Sequence, residues 1–224
     1  ENIMVRKSFL TGCDYNTEWQ LPWFIENFLE HSVGILQIAD FGMSTDMLDL
    51  IEHHPRFGKQ IYILSLSFDN KMSGWFKKPQ AIYEATRDGF SICWLDTDCQ
   101  IDGDIDSIWS HFEPGRIGMV VDRPWTKRRP DNGEWYNSGV VLSDRNQTLT
   151  NWMGSCAQNQ TECDQHVLYY MHTPIERIGK IYPIPHEYNT LRLDYIDNVA
   201  VDNPIVIHHT GKQGNDVIRQ QMNL

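Results

Sequence analysis

The sequence predicts an α/β protein built around a doubly wound, largely parallel sheet. Two observations carry this reading. Across the first half, short apolar runs alternate four times with helical patterns, the order that βαβ units produce. Each predicted strand also ends in a polar residue or glycine: Thr11-Gly12, Asp40, Ser67 and Asp96. In open α/β sheets, ligands bind in the crevice beyond that edge.

Taken in order, "RKSFLTG" reads as the first strand, and Trp23, Phe24, Phe28 and Leu29 then recur at helical spacing. "GILQIAD" is the second strand, followed by "STDMLDLIEHH", a helix with Ser44 as its N-cap. "KQIYILSLSF" is the third strand. "KKPQAIYEATRDG" is a helix with Pro79 in its first turn and Gly89 just past its end. "FSICWLD" is the fourth strand. The second half has an α+β character, with "GMVVDRPW" and "WYNSGVVLSD" as strands and "CDQHVLYYMH" as a helix. "NPIVIHHTGKQG" is a strand running into a His-rich turn. No repeat or linker divides the chain, so residues 1–224 read as one domain with halves of about 1–110 and 111–224.

Composition narrows the partners. With 224 residues, 41% apolar and 22% charged, the chain can bury a sizeable core and is not disordered. A net charge of −11 argues against nucleic acid or an anionic membrane as partner. The one basic cluster, Lys127-Arg128-Arg129, reads as a solvated loop. Five cysteines without a CxxC pair argue against a zinc ribbon or a disulfide framework. Reduced thiols, no membrane-length apolar run and no signal-peptide pattern together predict a soluble, cytoplasmic protein.

Chemistry concentrates in "SICWLDTDCQIDGDID". Asp96 and Asp98 alternate along an extended chain, so both carboxylates point to one side and can share a cation. Asp102, Asp104, Asp106 and Glu113 match the spacing of a calcium loop, but Ser107 occupies its obligatory glycine position. Those aspartates read instead as caps for the next short helix. In "WYNSGVVLSD", the small pair Ser138-Gly139 beside Asn137 suits close backbone approach to a ligand. "ECDQH" places Asp164 and Gln165 in a first helical turn, where Asp164 is either an N-cap or a site residue. His208 and His209 fall on opposite faces of a strand end, so one can enter a site, with Gly211 and Lys212 following. Two carboxylates, an imidazole and a lysine suit a divalent cation on a phosphate ester.

In this order "LDTD", "YNSGVVL", "DQ" and "HHTGK" resemble the GT-A glycosyltransferases, closest to the family 8 type, over roughly residues 5–215. The resemblance implies a Rossmann-like nucleotide-binding half whose mixed central sheet continues into an α+β acceptor half. It implies transfer of a hexose from a nucleotide-sugar donor, UDP-glucose or UDP-galactose, to a glycan or other hydroxyl acceptor, with retention. It further implies Mn²⁺, with Mg²⁺ as the alternative, held by Asp96, Asp98 and His208. Thr11, Gly12 and Asp40 would hold the nucleoside and Lys78 would reach a phosphate. Asn137, Ser138, Asp164 and Gln165 would surround the sugar, with Gly211 and Lys212 at the diphosphate. The sequence departs from the family's HxxGxxKPW ending: Lys212 directly follows the glycine, and no Pro-Trp follows.

Two stereochemical readings stay open. With retention, the departing phosphate takes the acceptor's proton while Gln165 or Asp164 steadies the cationic sugar. With inversion, Asp164 is the base. Trp125, Trp135, Tyr136 and Tyr188 lie near predicted site edges, where their rings would stack on an acceptor sugar. A nucleotidylyltransferase would need basic residues in its first loop, and "LTGCDYNTEWQ" has none. The alternative from another class is a non-catalytic sugar-binding module.

Overall fold

The computed structural model describes residues 6–68, 72–130, 133–160 and 162–224. The predicted first half is present, except that its third helix begins at Gly74, which puts Pro79 inside the helix rather than in its first turn. β1 (Arg6–Cys13), β2 (Leu36–Asp40), β3 (Ile61–Leu64) and β4 (Phe90–Leu95) alternate with α1 (Leu21–His31), α2 (Thr45–Glu52) and α3 (Gly74–Ala85). Ser44 caps α2 as expected, accepting from Met47 N at 3.1 Å. β3 is shorter than its apolar run suggested.

After β4 come β5 (Cys99–Ile101), β6 (Ile117–Val121), α4 (Arg123–Arg128), β7 (Tyr136–Ser143) and α5 (Gln147–Gln158). The chain continues through α6 (Asp164–Tyr170), α7 (Pro174–Lys180), β8 (Ile181–Pro183), β9 (Thr190–Leu191) and α8 (Arg192–Ile196). It finishes with β10 (Val206–His208) and α9 (Gly211–Gln221). Two predicted strands are thereby corrected. "GMVVDRPW" stops being a strand at Val121, because Asp122 accepts from Trp125 N and Pro124 starts a helix. The turn after His209 is the start of α9.

The main sheet has the order β3-β2-β1-β4-β7-β6-β8. β1 pairs in parallel with β2 and β4, and β2 with β3. β7 runs antiparallel to both β4 and β6, so the sheet is mixed. A smaller sheet, β5-β10-β9, sits beyond the end of β4. Every residue of β7 is buried, as a central strand covered on both faces requires.

Period-two alternation divides the core between the faces. Phe9, Cys93, Leu95 and Val140 face α1 and α2, which contribute Phe24, Phe28 and Ile51. Leu10, Ile92, Trp94 and Val141 face α3, α5 and α6, which contribute Ile82, Trp152 and Leu168. Of the aspartates read as caps, Asp104 N-caps the 3-10 turn Ile105–His111, whereas Asp102 accepts from Gln100 and Asp106 from Ser32 Oγ and Val33 N. No helix among the described residues is long and apolar enough to cross a membrane.

Candidate active site

The site forms where β1, β4 and β10 end and the antiparallel β7 begins, around a cleft of about 680 Å³. β4 stops at Leu95 because Asp96 turns: its N–H donates to Gly139 O at 2.8 Å, and its carbonyl accepts from Cys99 N at 3.0 Å. The turn swings Asp98 beside β10, where His209 N–H donates to Asp98 O at 3.0 Å. His208 Nε2 then lies 3.0 Å from Asp98 Oδ1 and 3.7 Å from Asp96 Oδ2. Two carboxylates and one imidazole nitrogen converge in the way a divalent cation needs. Cys99 Sγ is also close to this group. Its thiol is buried, which raises its pKa well above the ordinary range, and it contacts Gly139 O at 3.8 Å.

Lys78 rises into the same corner from α3. Its Nζ lies 2.9 Å from Asp96 Oδ1 and 3.2 Å from Asp164 Oδ2, and it donates to Ser138 O at 3.0 Å. Burial opposes the lysine's charge, but Asp164 and Asp96 outweigh it and hold the ammonium above the usual lysine range. For Asp96 burial dominates over the pull of Lys78, and its carboxyl is raised. His208 is raised as well: burial works against its proton, and Asp98 and Asp96 overcome that. Asp164 is not an N-cap. Cys163 holds that position, and the Asp164 carboxylate is turned to Lys78.

Between these groups runs a polar network. Gly139 N donates to Asn137 Oδ1 at 2.9 Å, and Ser138 N donates to Gln165 Oε1 at 3.1 Å. Asn137 Nδ2 and Gln165 Nε2 both donate to Asp122 Oδ2, at 3.3 and 3.4 Å. Asp122 is 1% exposed, and burial raises its carboxyl despite these bonds. Glycine is required at 139, since a Cβ there would fall 2.1 Å from His208 Cε1.

The residues expected at the site divide. Asp96, Asp98, Lys78, Asn137, Ser138, Asp164, Gln165 and His208 come together, and Gly12 and Gly211 line the same cleft. Thr11, Asp40 and Lys212 do not. Thr11 is fully buried, with Oγ1 unpartnered. Asp40 caps its own turn, accepting from Gly42 N and Met43 N, each at 2.8 Å. Lys212 sits on the exposed first turn of α9.

The aromatic expectation is corrected. Trp135, Tyr136 and Tyr188 are buried, Trp125 stacks on Trp135 with centroids 5.8 Å apart, and of the aromatic rings lining the cleft Trp75 is exposed while Phe41 and Trp94 belong to the core. The basic cluster is a helix end rather than a loop, with Lys127 and Arg128 solvent-exposed as expected. Lys127 and Arg128 end α4, and the Arg129 guanidinium lies 4.6 Å from the Trp125 centroid while donating to Tyr170 Oη at 2.7 Å. Asp122 and Asn189 were not anticipated. Asp122 carried one usable signal, an Asp before Arg-Pro, which reads as a helix start. Asn189 carried none.

No protein-family model and no curated protein matches the sequence. Solved structures do match the fold. A complex of the galactosyltransferase LgtC with donor and acceptor sugar analogues superposes with a TM-score of 0.65 at 14% identity, over 91% of this chain and 87% of that one. Mouse xyloside xylosyltransferase 1 gives 0.61 at 12% identity, over 91% and 97% of the two chains. A glycosyltransferase involved in glycosylating the major capsid of PBCV-1 gives 0.61 at 14% identity, over 98% and 100%. The chain therefore has the GT-A glycosyltransferase fold.

Proposed function

We propose that this chain is a metal-dependent glycosyltransferase that moves a hexose from a UDP-sugar, UDP-glucose or UDP-galactose, to a hydroxyl on a glycan or similar acceptor. The observation carrying this is the convergence of Asp96, Asp98 and His208 at the strand ends, with Lys78 and Asp164 in the same cleft. A divalent cation held by those three residues, Mn²⁺ being favoured by the oxygen–imidazole donor set, would offset charge growing on the departing diphosphate.

The chain's own groups divide the remaining work. Gly12, at the end of β1, gives the nucleoside close access to the backbone, and Gly211 does so for the diphosphate. Asn137 and Ser138 hold the sugar end, and Ser138 N keeps the Gln165 amide turned into the cleft. Lys78 offsets one of the two charges of Asp96 and Asp164, and a bound divalent cation would offset the remainder, so that the cleft accepts an anionic donor.

Retention is the reading this geometry favours. The Asp164 carboxylate is 4% exposed and already engaged with the Lys78 ammonium at 3.2 Å, so it is poorly placed to meet an acceptor hydroxyl. Gln165 offers its amide oxygen to steady positive charge at the anomeric carbon, while the departing phosphate accepts the proton.

The test is calorimetric titration of UDP, UDP-glucose, UDP-galactose and GDP-mannose, with Mn²⁺ and with EDTA, using Asp98→Ala as control. Manganese-dependent binding of one nucleotide, lost in the variant, is the expected result. A folded protein that binds none of them with Mn²⁺ present sinks the transferase reading and favours a sugar-binding module.

A further inference from the structure

The backbone of β7 decides which ring nitrogen of His208 carries its proton. Gly139 N–H can only donate, and it donates to Asn137 Oδ1 at 2.9 Å. That orients the Asn137 amide, whose Nδ2 accordingly donates to Asp122 Oδ2. The same Asn137 oxygen accepts from Asn189 Nδ2 at 2.8 Å. Asn189 is thereby oriented as well, with Oδ1 facing His208 Nδ1 at 3.1 Å. An amide oxygen only accepts, so Nδ1 must be the donor. On the neutral ring, Nε2 keeps its lone pair, and Nε2 is the atom nearest Asp98 and Asp96.

Asn189 is built for this duty. It is 1% exposed and directly precedes β9, whose Thr190 and Leu191 pair in parallel with Ile207 and His208. The strand pairing sets its distance from the imidazole before any ligand arrives. Gly139 leaves the ring its room.

We propose that Asn189 is a positioning residue that locks His208 in the Nδ1–H tautomer and so presents Nε2 to a divalent cation. The proposal rests on the reading of Asp96, Asp98 and His208 as a cation site. A partner on the far nitrogen of a ligating imidazole fixes ring orientation and raises basicity, and its loss weakens metal affinity about 10- to 100-fold. Asn189 touches neither cation nor donor in this scheme, so its effect belongs to cation affinity and not to nucleotide contacts.

The experiment is calorimetric titration of Mn²⁺ alone into the wild-type chain, Asn189→Leu and Asn189→Asp, with each fold checked by circular dichroism. Asn189→Leu removes the acceptor at nearly constant volume and should lose about 10- to 100-fold in affinity. Asn189→Asp keeps an acceptor against Nδ1 but gives up the donor to Asn137 Oδ1, and should recover part of that loss. Long-range ¹H–¹⁵N spectra of the metal-free wild type at alkaline pH should show His208 protonated on Nδ1. Protonation on Nε2 overturns the proposal even if neither variant folds, and so does equal Mn²⁺ affinity in folded wild type and Asn189→Leu. A wild-type chain that binds no Mn²⁺ sinks the cation site itself, and with it this role for Asn189, whatever the spectra show.

Discussion

Lys78 Nζ and Asp164 Oδ2 lie 3.2 Å apart with both side chains only 4% exposed. The same ammonium reaches Asp96 at 2.9 Å, so one cation from α3 holds two aspartates that come from opposite halves of the chain. Removing one partner of a buried pair leaves uncompensated charge in a low-dielectric setting, which is far costlier than never having made the pair.

Lys78→Met should therefore destabilise the fold by about 3 to 5 kcal/mol, read as a shifted urea midpoint. Adding Asp164→Leu should restore part of the stability and none of the nucleotide binding. A single variant as stable as wild type would mean the two aspartates do not depend on Lys78.

Gly139→Ala should separate site geometry from folding. The added methyl would overlap the His208 ring, and overpacking of this kind costs roughly 1 to 3 kcal/mol. The ring must move, because the alternative is displacement of the central strand β7. The expected outcome is a folded protein with a slightly lower melting temperature and at least a tenfold loss of Mn²⁺ affinity. Unchanged affinity would place the cation away from His208.

Stability should fall as the solution is acidified from pH 7.5 to 6. Burial lowers the pKa of His166, His172, His186 and His209. For a base depressed on folding, stability is complete above its unfolded value of about 6.5 and drains away as pH falls toward the folded value. His208, raised by Asp98 and Asp96 against the effect of burial, contributes the opposite sign. Four imidazoles against one set the direction. The raised carboxyls of Asp96, Asp122 and Asp194 oppose it toward the acid end, so the window stops at pH 6. Denaturant midpoints that rise or stay level across it would contradict the assignment.

The sequence displayed the first half well because its physics is local. β1, β2 and β4 are apolar runs with polar ends, and Ser44 announces α2. β5 and β9, three and two residues long, are too short for any periodicity. α4 was hidden behind the apolar run of β6, although Asp122 and Pro124 mark its start. α9 was hidden because Gly211 and Gly214 weaken its helical signal. At the site, Asp96, Asp98 and His208 were legible through their spacing at strand ends. Asp122 and Asn189 were not, because each is a single polar residue whose meaning arises from partners distant in sequence. Trp135 and Tyr188 misled for the converse reason: ring chemistry suits a sugar, but only packing shows that these rings face the core.

Asp98 and His208 are supplied by distant parts of the chain, and the His209 N–H to Asp98 carbonyl bond, with Cys99 paired to His208, fastens them together. The loop that separates the two residues is closed by the backbone, so the entropy of closing it is spent in folding and would not count against binding of a cation between them. The two sides of the proposed cation site would thus arrive already matched, and a truncated chain ending before β10 would keep the carboxylates while losing the template that aims them.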